Sequence, residues 1–303
     1  MSGYSDARYA ESLAAFGTPH HLSQCGAWIL KRRIPGFPAW DAMGCYPLFC
    51  CERWSQLYND LAQLEGRLVS LSAVVDPFGD YAEPYLRQCF PHLVIPFKQH
   101  FVVDLASPLD SYVHPHHRRY AKRALRAVDV ERCPEPCQWL DEWTRLYSVL
   151  IDRHNIRGLR TFSKSAFAKQ LQIPGAVLLR AAHGGSTLGM TIWYVDRGVA
   201  YYHLGAYSED GYKMRASYAL FWSAIELFSA RGVRWLNLGA GAGVESSGTD
   251  GLTRFKRGWS TGTRTAYFCG RILDQARYTS ILEATGAPST GYFPAYRQGE
   301  FGG

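Results

Sequence analysis

Three consecutive apolar stretches in the second half of the chain, GAVLLRAAHGG, STLGMTIWYVDRG and VAYYHLGAYS, are separated by turns that contain glycine, the pattern of strands joined as hairpins. Two helices are predicted ahead of them. In PCQWLDEWTRLYSVLIDRH, Trp139, Trp143, Leu146, Leu150 and Ile151 recur at helical spacing and mark a buried face. In FSKSAFAKQLQ, Ser163 or Ser165 stands where an N-cap belongs. Beyond the strands, SYALFWSAIELFSARG reads as a helix with Gly232 at its end, followed by the strand VRWLNLGAG, a loop, and the strand TRTAYFCGRIL. Helix, helix, three antiparallel strands, helix, strand, loop, strand is an α+β order.

The front half is more mixed. AWILKRRI reads as a strand ending at Pro35, CERWSQLYNDLAQLEG as a helix closed by Gly66, and RLVSLSAVV as a strand stopped by the turn DPFGD. HFVVDL is a further short strand, and ASPLDSYVHPHHRRYAKRALRAV a helix. In that helix Tyr120, Ala121, Ala124, Leu125 and Val128 form one side. Arg119, Lys122, Arg123 and Arg126 form the other, with Arg118 beside them, and no acidic residue occurs from 111 to 128. A basic stripe without acidic neighbours is either a solvated face or a surface for phosphates.

Composition narrows the class. The 303 residues are 47% hydrophobic, 19% charged and 14% aromatic, the mix of a packed globular protein. No apolar run is long enough to span a membrane, and the start MSGYSDARYAESLAAFGTPHH lacks the apolar stretch of a secretion signal, so a cytoplasmic location is expected. The eight cysteines are then expected as thiols. Cys133 and Cys137 in CPEPC, downstream of His114, His116 and His117, match no common zinc spacing, and no metal is expected. A net charge of +7 favours an anionic partner such as RNA, a nucleotide or a phosphorylated cofactor.

The most distinctive stretch is DGLTRFKRGWSTGTRTAY, where a lysine sits between two aromatics just after the glycine-rich bend NLGAGAG. With HHRRYAKRAL, YHLGAYSEDGYKMRASYALFWSAIELFSARG and VRWLNLGAGAG, and with the order of elements, it resembles the GNAT acyltransferase superfamily. Within that superfamily the chain is similar to the Fem-type aminoacyl-tRNA-dependent transferases and their BioF2-like acetyltransferase relatives. The likeness is best over about residues 100 to 272. It implies an acyl-CoA N-acyltransferase (GNAT) fold repeated as two halves with mixed, largely antiparallel sheets, here 1–128 and 129–303. Phe255 and Lys256 match the family's Phe-Lys pair, in which the lysine lies beside the reacting acyl group, and Trp259 takes the place of the usual aromatic.

Acyl transfer to an amine needs the donor carbonyl within about 3–3.5 Å of an uncharged amine, and a donor or cation waiting for the developing oxyanion. Lys256 suits the last role, or that of neutralising a donor phosphate, with Phe255 and Trp259 expected to wall the site. His203, alternating with Tyr201, Gly205 and Tyr207, is a candidate base, though a lone strand histidine is more often packed in a core; Glu226 and Asp250 are further carboxylate options. In SEDGYKMRAS, where a coenzyme A-dependent relative carries a glycine-rich loop, one glycine is followed by bulky residues, and Lys213 and Arg215 are left to contact phosphates. The resemblance, the charge and the stripe of Arg118, Arg119, Lys122 and Arg123 favour aminoacyl-tRNA as donor, with acyl-CoA as the alternative. The expected partners are thus charged tRNA rather than DNA, and a small peptide-like or amine acceptor such as a cell-wall precursor or antibiotic intermediate. No permanently bound cofactor is expected.

Overall fold

The structure is a computed structural model that describes residues 2–241, 250–287 and 291–300. Its strands are β1 (Thr18–Leu22), β2 (Ala27–Arg33), β3 (Trp40–Gly44), β4 (Ser70–Val74), β5 (Leu93–Asp104), β6 (Asp129–Cys133), β7 (Ala176–His183), β8 (Ser186–Asp196), β9 (Val199–Tyr207), β10 (Trp235–Gly239) and β11 (Gly262–Ile272). They form one sheet in the order β1-β2-β3-β4-β11-β5-β10-β9-β8-β7-β6. Only β3 with β4 and β9 with β10 pair in parallel. Strand β11 leaves the second half of the chain to lie between β4 and β5 of the first, so one continuous sheet joins the halves.

The helices are α1 (Ala7–Ser12), α2 (Leu57–Ala62), α3 (Glu83–Cys89), α4 (Leu109–Tyr112), α5 (Pro115–Ala124), α6 (Leu140–His154), α7 (Lys164–Gln170), α8 (Glu209–Lys213), α9 (Ala216–Ala230), α10 (Gly251–Arg257) and α11 (Gln275–Thr285). They cover both faces of the sheet. On one face α1, α6 and α7 bury Tyr9, Trp143, Tyr147 and Phe167 against Tyr194 and Tyr201. On the other, α5 and α9 bury Ala121, Phe221 and Phe228 against Trp193, Leu179 and Leu236. A third cluster, with Cys25, Phe49, Trp54 and Leu71, fills the front half.

The three-strand meander and α9 form as the pattern predicts. Gly184, Gly185 and Gly198, at φ of 55°, 81° and 77°, make the two hairpin turns, and Gly232 at 71° ends α9. Ser163, rather than Ser165, caps α7 through the Ala166 amide at 3.1 Å. Elsewhere the local signals mislead. The helix expected from residue 106 breaks in two, because Pro115 starts a new helix and His114 caps it by accepting from the His116 amide. HFVVDL is the end of the twelve-residue β5, whose sequence contains Pro96. The loop expected before the last strand contains α10, capped by the Asp250 carboxylate at the Leu252 and Thr253 amides. The end of the glycine-rich bend, residues 242–243, lies outside the described residues. Among the described residues no helix is long and apolar enough to cross a membrane.

Candidate active site

Strands β9 and β10 are hydrogen-bonded neighbours over only three residue pairs, ending at Tyr201 and Asn237. Beyond that point they part. β9 runs on beside β8 through a bulge between Tyr202 and Leu204. β10 shifts register against β5 between Asn237 and Gly239, and Gly239 takes a φ of 75°. Two parallel strands that separate inside a sheet leave backbone groups facing a gap, and those groups need partners.

Lys256 reaches into this gap from α10. Its Nζ donates to the Ala240 carbonyl at 2.6 Å and lies 5.8 Å from the centre of the Tyr202 ring. The side chain is only 6% exposed. Burial pulls its pKa down to about 7, against the weaker opposing pull of the Asp250 carboxylate. Asp250 itself is held below the usual carboxylate range by Thr253 and the amides it caps.

The rest of the FKRGW stretch fixes this helix in place. The Phe255 carbonyl accepts from His117 Nε2 at 3.0 Å. Its ring packs edge-on against Phe221 and Tyr218, 4.8 and 5.1 Å between centres. Trp259 has no exposed surface; it packs against His117 and Phe221 and does not wall an open cleft. A Cβ on Gly258 would collide with the His117 ring, so glycine is what lets α5 approach. Phe255 and Trp259 thus anchor α10 to α5 and α9, and Lys256 is the residue of the cluster that enters the gap.

His203 lies apart from Lys256. Its ring nitrogens meet the Tyr4 hydroxyl and Gln170 Oε1, each at 3.2 Å, on the face covered by α1 and α7. Tyr202, its neighbour, packs with Trp193 and Phe221 on the opposite face. Burial drives the pKa of His203 down to about 3. That is the setting of a packed, neutral imidazole. Glu226 accepts a 2.7 Å bond from Trp222 on the exposed side of α9.

The basic residues divide into two groups. Arg118 pairs with Asp110 at 2.7 Å, an acid just outside the acid-free stretch, and Lys213 pairs with Asp210 at 2.9 Å. Lys122 and Arg123 are exposed on α5. Arg119 lies near the Tyr120 ring at 5.6 Å, and Arg215 stacks on the same ring at 3.4 Å. Arg215 opens α9 with a φ of 60°, in the left-handed region, and its Nη1 is enclosed without a hydrogen-bond partner among the described residues. Gly211 serves packing: a Cβ there would strike the Leu188 carbonyl, and Ser208 caps the short α8. The segment 208–215 is therefore a compact turn of helix.

Two residues that the sequence reading passed over stand at the same place. His100 on β5 bonds through Nδ1 to Asn237 Oδ1 at 3.0 Å, and Asn237 is the last residue of β10 still paired with β9. Nothing local marks this contact, since 137 positions separate the partners. Among the described residues no group of three or more His, Cys, Asp or Glu is arranged to hold a metal ion. The eight cysteines are free thiols, with Cys137 exposed.

Residues 115–257, from the start of α5 to the end of α10, match the family model described as an acetyltransferase (GNAT) domain. The match covers just under half of the chain, and it is this segment that is similar to a GNAT domain. Among solved structures this chain resembles FemX, at 14% identity over 91% of this chain and 93% of that one, with a TM-score of 0.68. It also resembles the C-terminal domain of a putative lysylphosphatidylglycerol synthetase from Agrobacterium fabrum, at 16% identity over 97% and 94% and a TM-score of 0.60. L-PGS from Bacillus licheniformis follows at 16% identity over 93% and 97%, with a TM-score of 0.59. At these identities the likeness is one of fold. No curated protein sequence matches the chain.

Proposed function

We propose that this protein is a GNAT-type N-acyltransferase that takes an aminoacyl group from aminoacyl-tRNA and joins it to the amine of a small peptide-like acceptor, making one peptide bond. The observation that carries the reading is Lys256, buried where β9 and β10 part, with its pKa near 7 and its Nζ bound to a backbone carbonyl. In the gap, the ester carbonyl of a donor meets a cation already in position. As negative charge grows on its oxygen, the lysine is held protonated and stabilises it. The fold shared with FemX supports an aminoacyl donor. The exposed cations of α5 and the Arg215–Tyr120 stack support a donor with phosphates and an aromatic base.

The second reading is an acyl-CoA donor, favoured by one feature. The fifteen-residue α9 starts without a side-chain cap, the kind of helix start that a phosphate can cap instead. Titration of the purified protein with charged tRNA, uncharged tRNA, coenzyme A and acetyl-CoA at near-physiological salt separates the two. Micromolar, salt-sensitive binding of charged tRNA without a coenzyme A response is the expected result. Saturable coenzyme A binding with only weak, nonspecific tRNA association reverses it.

A further inference from the structure

An amine attacks as the free base, and the tetrahedral adduct it forms must lose a proton from nitrogen before the donor oxygen leaves. Lys256 answers to the oxyanion; the proton needs a separate acceptor. His100 is 7% exposed and held by Asn237 Oδ1 at 3.0 Å. The Gly239 amide donates to that same Oδ1 at 2.9 Å, which fixes it as the oxygen end of the side-chain amide. An oxygen facing Nδ1 requires Nδ1–H, so the basic lone pair of the imidazole is on Nε2. That nitrogen has no hydrogen-bond partner among the described residues, and it is not one of their enclosed unpartnered atoms. The pair thus has the form of an imidazole whose tautomer and direction are set by a neighbouring amide.

Its position is as specific as its tautomer. Asn237 is the point at which β10 leaves β9, and Gly239 beyond it lies against the Lys256 ammonium, 3.2 Å from where a Cβ would stand. Among the described residues, the charged groups around the imidazole are Lys98 on the same strand, Lys256 from α10 and Arg264, its cross-strand partner on β11. All are cationic, and after burial the two lysines help hold the ring neutral, with a pKa of about 4.

We propose that His100, oriented by Asn237, is the general base of the acyl transfer, taking at Nε2 the proton of the attacking amine. The inference rests on the acyl-transfer reading above. The amine nitrogen bonds to the donor carbonyl carbon, and the carbonyl electron pair moves to oxygen beside Lys256. The N–H proton passes to His100 Nε2. The oxyanion then re-forms the carbonyl, the carbon–oxygen bond to the ribose breaks, and the leaving oxygen recovers the proton from the imidazolium.

The test is single-turnover and steady-state transfer by the wild type, His100→Gln and Asn237→Asp, using whichever donor the wild type accepts. His100→Gln should lower kcat about a hundredfold or more, with KM and donor binding unchanged. In Asn237→Asp a carboxylate faces Nδ1–H, so the acid side of the rate profile should move to higher pH, a shift that a purely structural histidine does not produce. A His100→Gln enzyme at the wild-type rate overturns the base while leaving acyl transfer intact. A wild type that turns over neither aminoacyl-tRNA nor acyl-CoA overturns the acyl-transfer reading and the base with it. If His100→Gln fails to fold, nitrogen NMR of the wild-type imidazole decides: the Nδ1–H tautomer supports the assignment, and Nε2–H overturns it.

Discussion

Replacing Lys256 by methionine separates the functional cost of the charge from its structural use. Burial lowers this ammonium from 10.5 to about 7. At about 1.4 kcal/mol per unit, carrying the charge into the fold costs about 4–5 kcal/mol when the residue is fully protonated. The folded pKa lies below the unfolded one, so the unfolded chain binds the proton first as pH falls. The penalty is therefore nearly absent above about pH 10.5, grows as pH drops, and is complete below about pH 7. Methionine keeps the apolar stem and removes Nζ, along with its bond to the Ala240 carbonyl, a loss of about 1–3 kcal/mol. At pH 7 the variant should be more stable than the wild type by about 1–3 kcal/mol, and by pH 9 that advantage should shrink by about 2 kcal/mol. Transfer should fall about a hundred- to a thousandfold. Urea unfolding at pH 7, 8 and 9, beside the transfer assay, measures both. A stability difference that does not change with pH refutes the buried, depressed lysine. A stability loss as severe as the rate loss makes Lys256 a structural residue.

Three other outcomes follow from the same geometry. Changing Arg119, Lys122 and Arg123 together to alanine should weaken tRNA binding and flatten its dependence on salt by about one unit per lost contact, read from log Kd against log salt; an unchanged slope removes the stripe from the interface. His100, His117 and His203 are buried with pKa values of about 4, 4 and 3. Below about pH 6.5 the unfolded chain takes up these protons before the fold does, so stability should fall by about 1.5 kcal/mol per histidine between pH 6.5 and 5, which denaturant titrations at the two pH values check. Arg297 grips Asp41, a carboxylate with no exposed surface, at 2.7 and 2.9 Å, tying the short helical turn Ala295–Arg297 to β3. Asp41 keeps the Tyr296 hydroxyl at 3.1 Å and Arg32 at 3.6 Å, so Arg297→Ala should cost about 1.5–3 kcal/mol, the worth of a charged hydrogen bond, with thermal unfolding as the measure.

The elements read well from sequence are those whose signal is local. β7, β8, β9 and α9 each bury most of an apolar stretch; glycines in the left-handed region follow β7, β8 and α9, and Gly198 precedes β9, so pattern and boundary agree. β1, a five-residue strand with the sequence TPHHL, has no such pattern; it exists because β2 offers it an edge. α10 escaped for a related reason, since seven residues are too few to show a period and its cap, Asp250, looks like part of a loop.

The site follows the same division. FKRGW announced itself by composition, and its lysine is bound to the Ala240 carbonyl, just past the last pair of β9 and β10. The roles of its aromatics were not legible, because a buried and a cleft-lining tryptophan are the same letter; only the packing of α5 against α10 makes Trp259 an anchor. His203 and His100 show the limit most clearly. Both are lone histidines on strands, and their neighbours in sequence do not distinguish them. One has both nitrogens occupied by Tyr4 and Gln170, while the other has one nitrogen fixed by Asn237 and the second without a partner among the described residues. What separates an inert imidazole from a usable one is therefore the count of partners, and all three partners lie more than thirty positions away in the chain.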